Sequence, residues 1–266
     1  IVSRIAASVR CGHTWTNPLN QGEQIQAMLD QLPALPFELQ LAGRRALVSA
    51  SADPDVIPGM ELLAVDGREF PELLEALLPY LRADGSSDGK RLSQLESSED
   101  GGALDRLLPL LHPPVDAHYR LRVRRADGSD ASLRVKATTV PERRSRLGTP
   151  ADPDTAWRLE FEGDIAVMTL PTFAFWNDPF DWREFLGTAF RTLAERGSRG
   201  LILDLRRNEG GDSAIGRELL SYLISRPYRV PSGRIEYAYE RAPYALVRHL
   251  DTWNFDFFDR SGAVKP

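Results

Sequence analysis

The stretch LILDLRRNEGGDSAIGRELL, residues 201–220, predicts a buried strand, a glycine turn and a helix in direct succession. The run from Leu201 to Leu205 is almost continuously apolar, which is typical of a strand covered on both faces in a parallel sheet. Gly210 and Gly211 then turn the chain, and Asp212 or the serine after it can cap the next helix. Such a turn presents backbone N–H groups beside the positive end of a helix, where an oxyanion or a carboxylate can bind.

The turn sequence DLRRNEGG, residues 204–211, resembles the D-L-R-x-N-x-G-G segment of the C-terminal-processing (tail-specific) serine peptidases and their tricorn-core relatives. In that family the segment belongs to the catalytic domain, and a glycine amide of the turn contributes to the oxyanion hole. The resemblance therefore implies that Gly210 or Gly211 is the oxyanion donor here. The alternative from the residues alone is a glycine turn with a purely structural role.

Composition excludes several classes of protein. The 266 residues are 42% hydrophobic and 27% charged, as expected for a globular chain of one large or two modest domains. The net charge of −5 and the scattered arginines argue against a nucleic-acid partner, and no apolar run has membrane-spanning length. The single cysteine, Cys11, excludes an internal disulfide and a multi-cysteine zinc site. We expect no metal and no cofactor.

A histidine follows a glycine near the start of the chain, in Gly12-His13-Thr14. Imidazole is the most common general base near neutral pH, although an isolated histidine is more often a surface or half-buried residue without a catalytic role. In the tricorn-like and chlamydial-protease-like branches of the resembled family, a Gly-His or Pro-His pair followed by Ser or Thr precedes the substrate-binding domain and supplies the catalytic base. The resemblance implies this role for His13.

Residues 33–140 predict a second domain whose centre resembles the G-x-x-L-x-x-V-x-G core of a PDZ domain. Strands are expected at Phe37–Leu41 and Arg45–Ala50, and a strand from Gly59 to Val65 leads through an Asp-Gly turn into a helix over Phe70–Leu81. PDZ domains add an extended peptide C-terminus as a strand. The resemblance implies that the peptide-binding residues are Gly59, Met60, Glu61 and Leu62.

The rest of this domain is less regular. An insertion over 84–118 begins with a polar, glycine- and serine-rich segment, residues 84–102, which predicts an exposed loop or mobile insertion. A hairpin follows, with strands at Tyr119–Arg124 and Ala131–Lys136 and one basic, solvated face. His112 and His118 lack a carboxylate or cysteine at ligand spacing, so we interpret them as loop residues.

A linker is predicted by composition at 141–154, and residues 155–266 then follow a strand-helix-strand-helix order. A hairpin of Trp157–Phe161 and Ile165–Leu170, a helix over Phe180–Arg196 and the 201–220 stretch imply a parallel strand pair. The aromatic residues between 173 and 182 indicate a core or domain seam rather than a substrate cleft.

Ser213 is the one serine here that suggests a nucleophile. The string Gly211-Asp212-Ser213 is similar to the G-D-S-G of trypsin-like enzymes, but those are antiparallel barrels, and Ser213 lies where a helix needs its cap. The G-x-S-x-G elbow is also absent, because Gly216 comes one position too late. In the resembled family the nucleophilic serine lies further along the chain, so we expect it beyond Pro266.

These observations predict an α/β and α+β protein: an N-terminal helical segment (1–32), a PDZ-like domain (33–140) and the first part of a mixed α/β, crotonase-like ββα peptidase core. The resemblance implies a bacterial serine endopeptidase that acts on polypeptides, possibly at their C-termini, and that is exported, to the periplasm. Because the chain lacks a starting Met and a signal peptide, we interpret Ile1 as an internal point of a longer chain. The alternatives are a catalytically silent PDZ-like peptide-binding module and a self-contained hydrolase built on Ser213, His13 and Asp204.

Overall fold

The computed structural model describes residues 1–17, 22–96, 101–148, 157–176, 178–229, 239–252 and 254–261. The chain divides into two compact units, Ile1–Ala151 and Asp152–Pro266, and each is described by itself. Over these described ranges, none of the helices combines the length and the apolar character that crossing a bilayer requires.

The first unit is built on an antiparallel sheet in the order β1-β2-β3-β5-β6, with the short β4 paired to β3. The strands alternate buried and exposed positions, so that one face of the sheet covers the core. Their bounds are β1 Phe37–Ala42, β2 Arg45–Ser51, β3 Glu61–Val65, β4 Arg68–Glu69, β5 His118–Arg124 and β6 Asp130–Lys136. The predicted strands at 37–41 and 45–50 and the hairpin at 119–136 are confirmed.

Within the described residues of this unit, six α-helices accompany the sheet: α1 Val2–Ser8, α2 Glu23–Asp30, α3 Phe70–Leu77, α4 Asp88–Ser93, α5 Ala103–Leu111 and α6 Val140–Leu147. The amphipathic α3 buries its apolar side against the sheet, as its spacing predicted, and a 3-10 turn, Leu78–Tyr80, replaces the last predicted turn of this helix. The helices α1 and α2 lie within the predicted N-terminal helical segment (1–32), of which residues 18–21 lie outside the described residues.

The polar segment at 84–102 is more ordered than its composition predicted. It contains the helix α4, and Leu95 is 1% exposed in the core of the unit. Gly102 starts the next helix where a Cβ would lie 2.1 Å from the carbonyl oxygen of Glu96, so this close approach requires glycine. Residues 97–100 lie outside the described residues. The segment has two leucines, Leu92 and Leu95, and this single i, i+3 spacing in a polar run is too short a signal to predict their packing against the core.

The predicted linker at 141–154 requires a correction. Its first part is the helix α6, which Thr139 caps by accepting from the Glu142 amide, while the Glu142 carboxylate accepts from Thr139 N–H. The Thr-x-x-Glu pattern is a helix-start signal that the arginine-rich composition obscured. Arg143 in this helix is 1% exposed and belongs to the interior of the first unit. Residues 149–154 lie outside the described residues.

In the described part of the second unit, the sheet has three strands in the order β7-β8-β9, with β7 Arg158–Glu162, β8 Ile165–Thr169 and β9 Gly200–Asp204. β7 and β8 are antiparallel, whereas β8 and β9 are parallel, which confirms both predicted pairings. The helix α7, Trp182–Glu195, connects the parallel strands, and α8 Ser213–Leu223 follows β9. A short helix α9, Tyr244–Val247, and a 3-10 turn, Phe255–Phe257, lie later in the chain.

Aromatic residues form much of the core of the second unit. Trp157 packs edge-on against four phenylalanine rings, with centroid distances from 5.4 to 6.0 Å, and its indole N–H donates to the Thr172 carbonyl over 2.8 Å. The interpretation of these aromatics as core is therefore confirmed for the rings around Trp157, whereas Trp176 is 71% exposed.

The prediction that the strand beginning at Leu201 is covered on both faces is wrong for the described part of the chain. Leu201 and Leu203 pack against the core, but Ile202 points away from it and is 55% exposed. Among the described residues, β9 pairs only with β8 and forms an edge of the sheet. A continuous apolar run indicates that both faces of a strand are suited to burial, but it does not identify what covers the second face.

Candidate active site

Side chains of Arg82 and Asp84 hold the Gly12-His13 turn in place within the first unit. Gly12 N–H donates to Asp84 Oδ1 over 2.7 Å, and Arg82 Nη1 donates to the Gly12 carbonyl over 2.8 Å. The guanidinium of Arg82 also lies 3.7 Å from the ring centroid of Trp15, which follows the turn. These contacts hold His13, itself exposed, on a fixed backbone next to residues 82–85.

Two side chains that the sequence analysis did not connect with His13 lie beside it. One ligand atom each from Cys11, His13 and Asp84 lies within 4.8 Å of the other two. Cys11 is a free, half-buried thiol whose sulfur accepts from the His13 amide over 3.4 Å. The Thr14 hydroxyl and this amide together lower the pKa of the Cys11 thiol by hydrogen bonding. The Cys-Gly-His spacing could have indicated that Cys11 lies beside His13. Asp84 is too distant in sequence for its position beside His13 to be predicted.

The glycine turn of the second unit follows β9. Phe173 N–H donates to the Gly210 carbonyl over 3.0 Å and the Phe173 carbonyl accepts from Asp212 N–H over 2.8 Å, so the turn is fastened to the segment after β8. Gly211 has φ +138°, and a Cβ on it would lie 2.2 Å from the Phe173 carbonyl, so only glycine fits there. Both glycines are exposed.

The two glycines differ as oxyanion donors. The Gly210 N–H already donates to Asn208 Oδ1 over 2.8 Å, which corrects its assignment as a donor because that hydrogen would have to be released first. Asn208 is fixed in turn, since its amide donates to the Leu170 carbonyl over 2.8 Å. Among the described residues, no acceptor takes the Gly211 N–H. Gly211 is therefore the donor that this turn offers to a ligand.

Asp204 and Ser213, two members of the proposed self-contained triad, have other roles in the second unit. Arg206 donates to both carboxylate oxygens of Asp204, over 2.9 and 2.7 Å, and this contact lowers the Asp204 pKa from 3.8 to about 2. Ser213 is the first residue of α8, capped by Asp212, and its hydroxyl accepts from Arg217 over 3.0 Å. A carboxylate paired with arginine is poorly placed to orient an imidazole, so these contacts disfavour the triad.

The peptide-binding residues predicted at 59–62 also require a correction. β3 pairs with β2 on one side and β5 on the other, and Met60, Glu61 and Leu62 are buried. The Gly59 N–H donates to the Val48 carbonyl over 2.8 Å. Because strand addition needs an open edge, β3 cannot receive a peptide in this way. Peptide binding elsewhere on this unit stays a prediction.

The edge of the same sheet at β1 is occupied by side chains of the unit itself. Arg143 Nη1 donates to the Leu35 and Phe37 carbonyls over 3.0 and 3.2 Å, and Glu96 accepts from the Leu41 amide over 2.8 Å. Arg143 also makes a two-bond ion pair with the buried Asp105, over 2.7 and 3.0 Å. These side chains use backbone groups that an added strand would need.

The remaining histidines do not join these groups. Burial, with a smaller contribution from the Arg68 charge, lowers the pKa of His112, and His118 Nδ1 lies 2.6 Å from the Asp116 carbonyl. His249 accepts from Arg248 over 3.0 Å. The interpretation of His112 as a loop residue agrees with its position directly after α5, whereas His118 is the first residue of β5 and not a loop residue.

Part of the chain matches a known protein family in sequence. The sequence profile of peptidase family S41 matches residues 164–249, which include β8, α7, β9, the glycine turn and α8. A comparison with curated protein sequences gave no match. His13 lies in the first unit, outside the matched residues, and its approach to the glycine turn stays a prediction.

Among solved structures, the chain is similar to mature CPAF in complex with lactacystin, at 18% identity over 71% of this chain and 44% of that one, with a TM-score of 0.45. Mature CPAF alone gives 19% identity, 71% and 43% coverage and a TM-score of 0.45. A CPAF serine-to-alanine mutant gives 19% identity over 68% of this chain and 43% of that one, with a TM-score of 0.44. The chain thus spans less than half the length of these proteins, and the TM-scores are too low to establish a common fold. Residues 164–249, which lie in the second unit, are therefore similar in sequence to peptidase family S41.

Proposed function

We propose that this chain forms part of a serine endopeptidase of the C-terminal-processing type, with His13 as general base and Gly211 as an oxyanion donor. The observation that carries the proposal is the family match, because it covers the strand, turn and helix that present the Gly211 amide. A preorganised backbone N–H that costs no rearrangement is what a developing oxyanion requires. The substrate of such an enzyme is a polypeptide.

The nucleophile is expected beyond Pro266. The Ser213 hydroxyl accepts a hydrogen bond from Arg217 at the start of α8, and this contact does not activate the hydroxyl, because a guanidinium cannot take up its proton. The proposal therefore predicts that the 266 residues alone do not cleave peptides while the full-length protein does. An exported, periplasmic location and a preference for C-termini belong to the same proposal.

The test is steady-state hydrolysis of a fluorogenic peptide by the full-length protein. We expect His13→Ala to lower kcat by about 10²–10⁴-fold, the usual contribution of a general base. His118→Ala is the matched control and should leave kcat unchanged. Equal activity of the His13→Ala and His118→Ala variants would contradict the assignment of the base.

Two further outcomes separate the alternatives. Cleavage by the 266 residues alone that is lost on Ser213→Ala would support the self-contained hydrolase. An inert full-length protein would favour the alternative that the chain is a catalytically silent peptide-binding module. Calorimetry can test this alternative by measuring the binding of a peptide and of the same peptide with a C-terminal amide. Binding of neither form, or equal binding of both, would exclude capture of a terminal carboxylate. Because β3 is paired on both sides and the β1 edge is occupied, strand addition is not expected at either of these two places.

A further inference from the structure

The strongest unassigned feature is the group of three different metal-ligand types around the Gly12-His13 turn. A thiol, an imidazole and a carboxylate, from Cys11, His13 and Asp84, each place a ligand atom within 4.8 Å of the other two. We propose that these three side chains bind a zinc ion and that zinc bound there inhibits the enzyme by occupying His13. The binding claim stands on these residues alone, whereas the inhibition claim rests on the proposed function.

The spacing of the ligand atoms suits a small tetrahedral ion. Zinc binds sulfur at about 2.3 Å and nitrogen or oxygen at about 2.0–2.2 Å, so that neighbouring ligand atoms lie roughly 3–4 Å apart. The observed limit of 4.8 Å requires only a small closure by side-chain rotation. Three protein ligands leave one position open for water, as in zinc sites that exchange ligands with solvent.

The backbone holds two of these ligands in place before any ion arrives. Asp84 Oδ1 accepts from the Gly12 amide over 2.7 Å, which fixes the carboxylate against the turn between Cys11 and His13. A Cβ at Gly12 would lie 2.8 Å from Asp84 Oδ2, so glycine permits this close approach. The His13 amide donates to the Cys11 sulfur over 3.4 Å and sets the thiol beside the imidazole. Preorganisation of this kind reduces the entropy cost of binding.

The ligand types select the metal. Sulfur and imidazole ligands favour zinc and similar borderline ions over magnesium and calcium, which prefer oxygen ligands in larger numbers. His13 and Asp84 are exposed and Cys11, two residues before His13, is half-buried, so an ion can reach the site from solvent. An imidazole nitrogen that donates its lone pair to zinc cannot accept a proton from a nucleophile, so the ion and general-base catalysis exclude one another.

The binding test uses the 266-residue chain and no substrate. The chain, kept reduced by a phosphine, is titrated with Co²⁺ as a spectroscopic substitute and then with Zn²⁺ in competition with a chromophoric chelator. We expect a thiolate-to-cobalt absorption band in the wild type and its loss in Cys11→Ser. His13→Ala and Asp84→Asn should each weaken Zn²⁺ binding by at least about tenfold, since even outer-sphere partners of a metal contribute about 10–100-fold.

Matched controls keep this result specific. Asp84→Asn retains an oxygen that can accept from the Gly12 amide, so the turn should keep its conformation. Weaker Zn²⁺ binding by this variant is therefore due to the loss of the carboxylate charge. His118→Ala and Asp88→Asn remove the same ligand types elsewhere in the unit and should bind Zn²⁺ as the wild type does. The site is disproved if the wild type binds no Zn²⁺, or if any of the three ligand variants binds it as tightly as the wild type.

The inhibition test uses the full-length protein, with each variant compared with its own metal-free activity. Zn²⁺ should inhibit the wild type, and Cys11→Ser should raise the inhibitory concentration by at least about tenfold. If Zn²⁺ binds but activity is unaffected, the inhibition claim is wrong. If Zn²⁺ binds and His13→Ala is fully active, the proposed role of His13 fails while the zinc site stands.

Discussion

The two sheets of this protein differ in how their edge strands are finished. In the first unit, β1 is covered by Arg143 and Glu96, and the arginine is buried in an ion pair with Asp105. In the second unit, β9 has no further strand beside it among the described residues, and Ile202 on it is 55% exposed. An arginine-aspartate pair also lies at the end of β9, between Asp204 and Arg206, but there the arginine side chain is 88% exposed.

This difference indicates which region is suited to a ligand. Backbone groups at the β1 edge are hydrogen-bonded to Arg143 and Glu96 of the same unit, so they are not available to a ligand. The β9 region leaves a backbone amide, that of Gly211, and an apolar face accessible. Catalytic sites require hydrogen-bond donors that are free to bind the reacting group, whereas a stable interior requires that every polar group be paired. The comparison therefore favours the β9 region over the β1 edge as a place where a ligand can bind.

The largest expected effect comes from opening the closed region. Asp105→Ala leaves the buried Arg143 guanidinium without its carboxylate partner, and breaking such a pair costs about 3–5 kcal/mol of unfolding free energy. Native-state hydrogen exchange followed by mass spectrometry on peptides from β1 to β3 measures this loss. The double variant Asp105→Leu, Arg143→Met should recover most of the stability, because both charges are then absent. Wild-type exchange in Asp105→Ala would show that the covered edge does not depend on the pair.

A second prediction concerns the open turn. Gly211→Ala places a Cβ within 2.2 Å of the Phe173 carbonyl and should destabilise the second unit by about 3 kcal/mol. Gly210→Ala is the matched variant: its φ of +94° is strained for alanine, but no atom lies near the added Cβ, so we expect about 1 kcal/mol. Thermal unfolding followed by tryptophan fluorescence compares the two. Equal losses would mean that the contact with Phe173 does not restrict the turn.

Much of both regions follows from local sequence. The alternation in β5 and β6 and the strand-glycine-helix order of 201–220 were sufficient to predict their elements, because each signal lies within one short window. What could not be predicted depends on distant partners. Arg143 is buried in an ion pair with Asp105, which lies 38 positions earlier in the chain, and the sequence of the PERRSR segment does not reveal this partner.

The candidate site shows the same division. His13, Gly210 and Gly211 could be selected from motifs, but which glycine amide is available depends on where the Asn208 side chain turns. Asp84 joins Cys11 and His13 through a contact across 72 positions, which a single sequence does not reveal. The failure at Gly59–Leu62 is of another kind, because a PDZ-like pattern identifies a strand but not whether that strand lies at an edge.

A smaller effect tests how firmly β1 is covered. Glu96→Ala removes the acceptor of the Leu41 amide, and loss of one hydrogen bond worth about 1 kcal/mol should increase exchange of that amide roughly fivefold. Glu72→Ala, on the exposed side of α3, is the control and should leave Leu41 protected. Residue-resolved exchange by NMR is the measurement. If Leu41 is equally protected in both variants, Glu96 does not close this edge.

The smallest expected effect concerns the exposed pair beside β9. Because Arg206 lowers the Asp204 pKa from 3.8 to about 2, the pair stabilises the folded unit above pH 4, and this contribution is lost as pH falls from about 4 to 2. Solvent around the exposed arginine limits the contribution to less than about 1 kcal/mol. In Arg206→Ala the Asp204 pKa, followed by carboxyl NMR, should rise towards 3.8, and the acid-induced loss of stability between pH 4 and 2 should become smaller. An Asp204 pKa that stays near 2 in this variant would mean that backbone amides, and not the Arg206 guanidinium, hold the carboxylate, and the two arginine-aspartate pairs would then differ in kind as well as in burial.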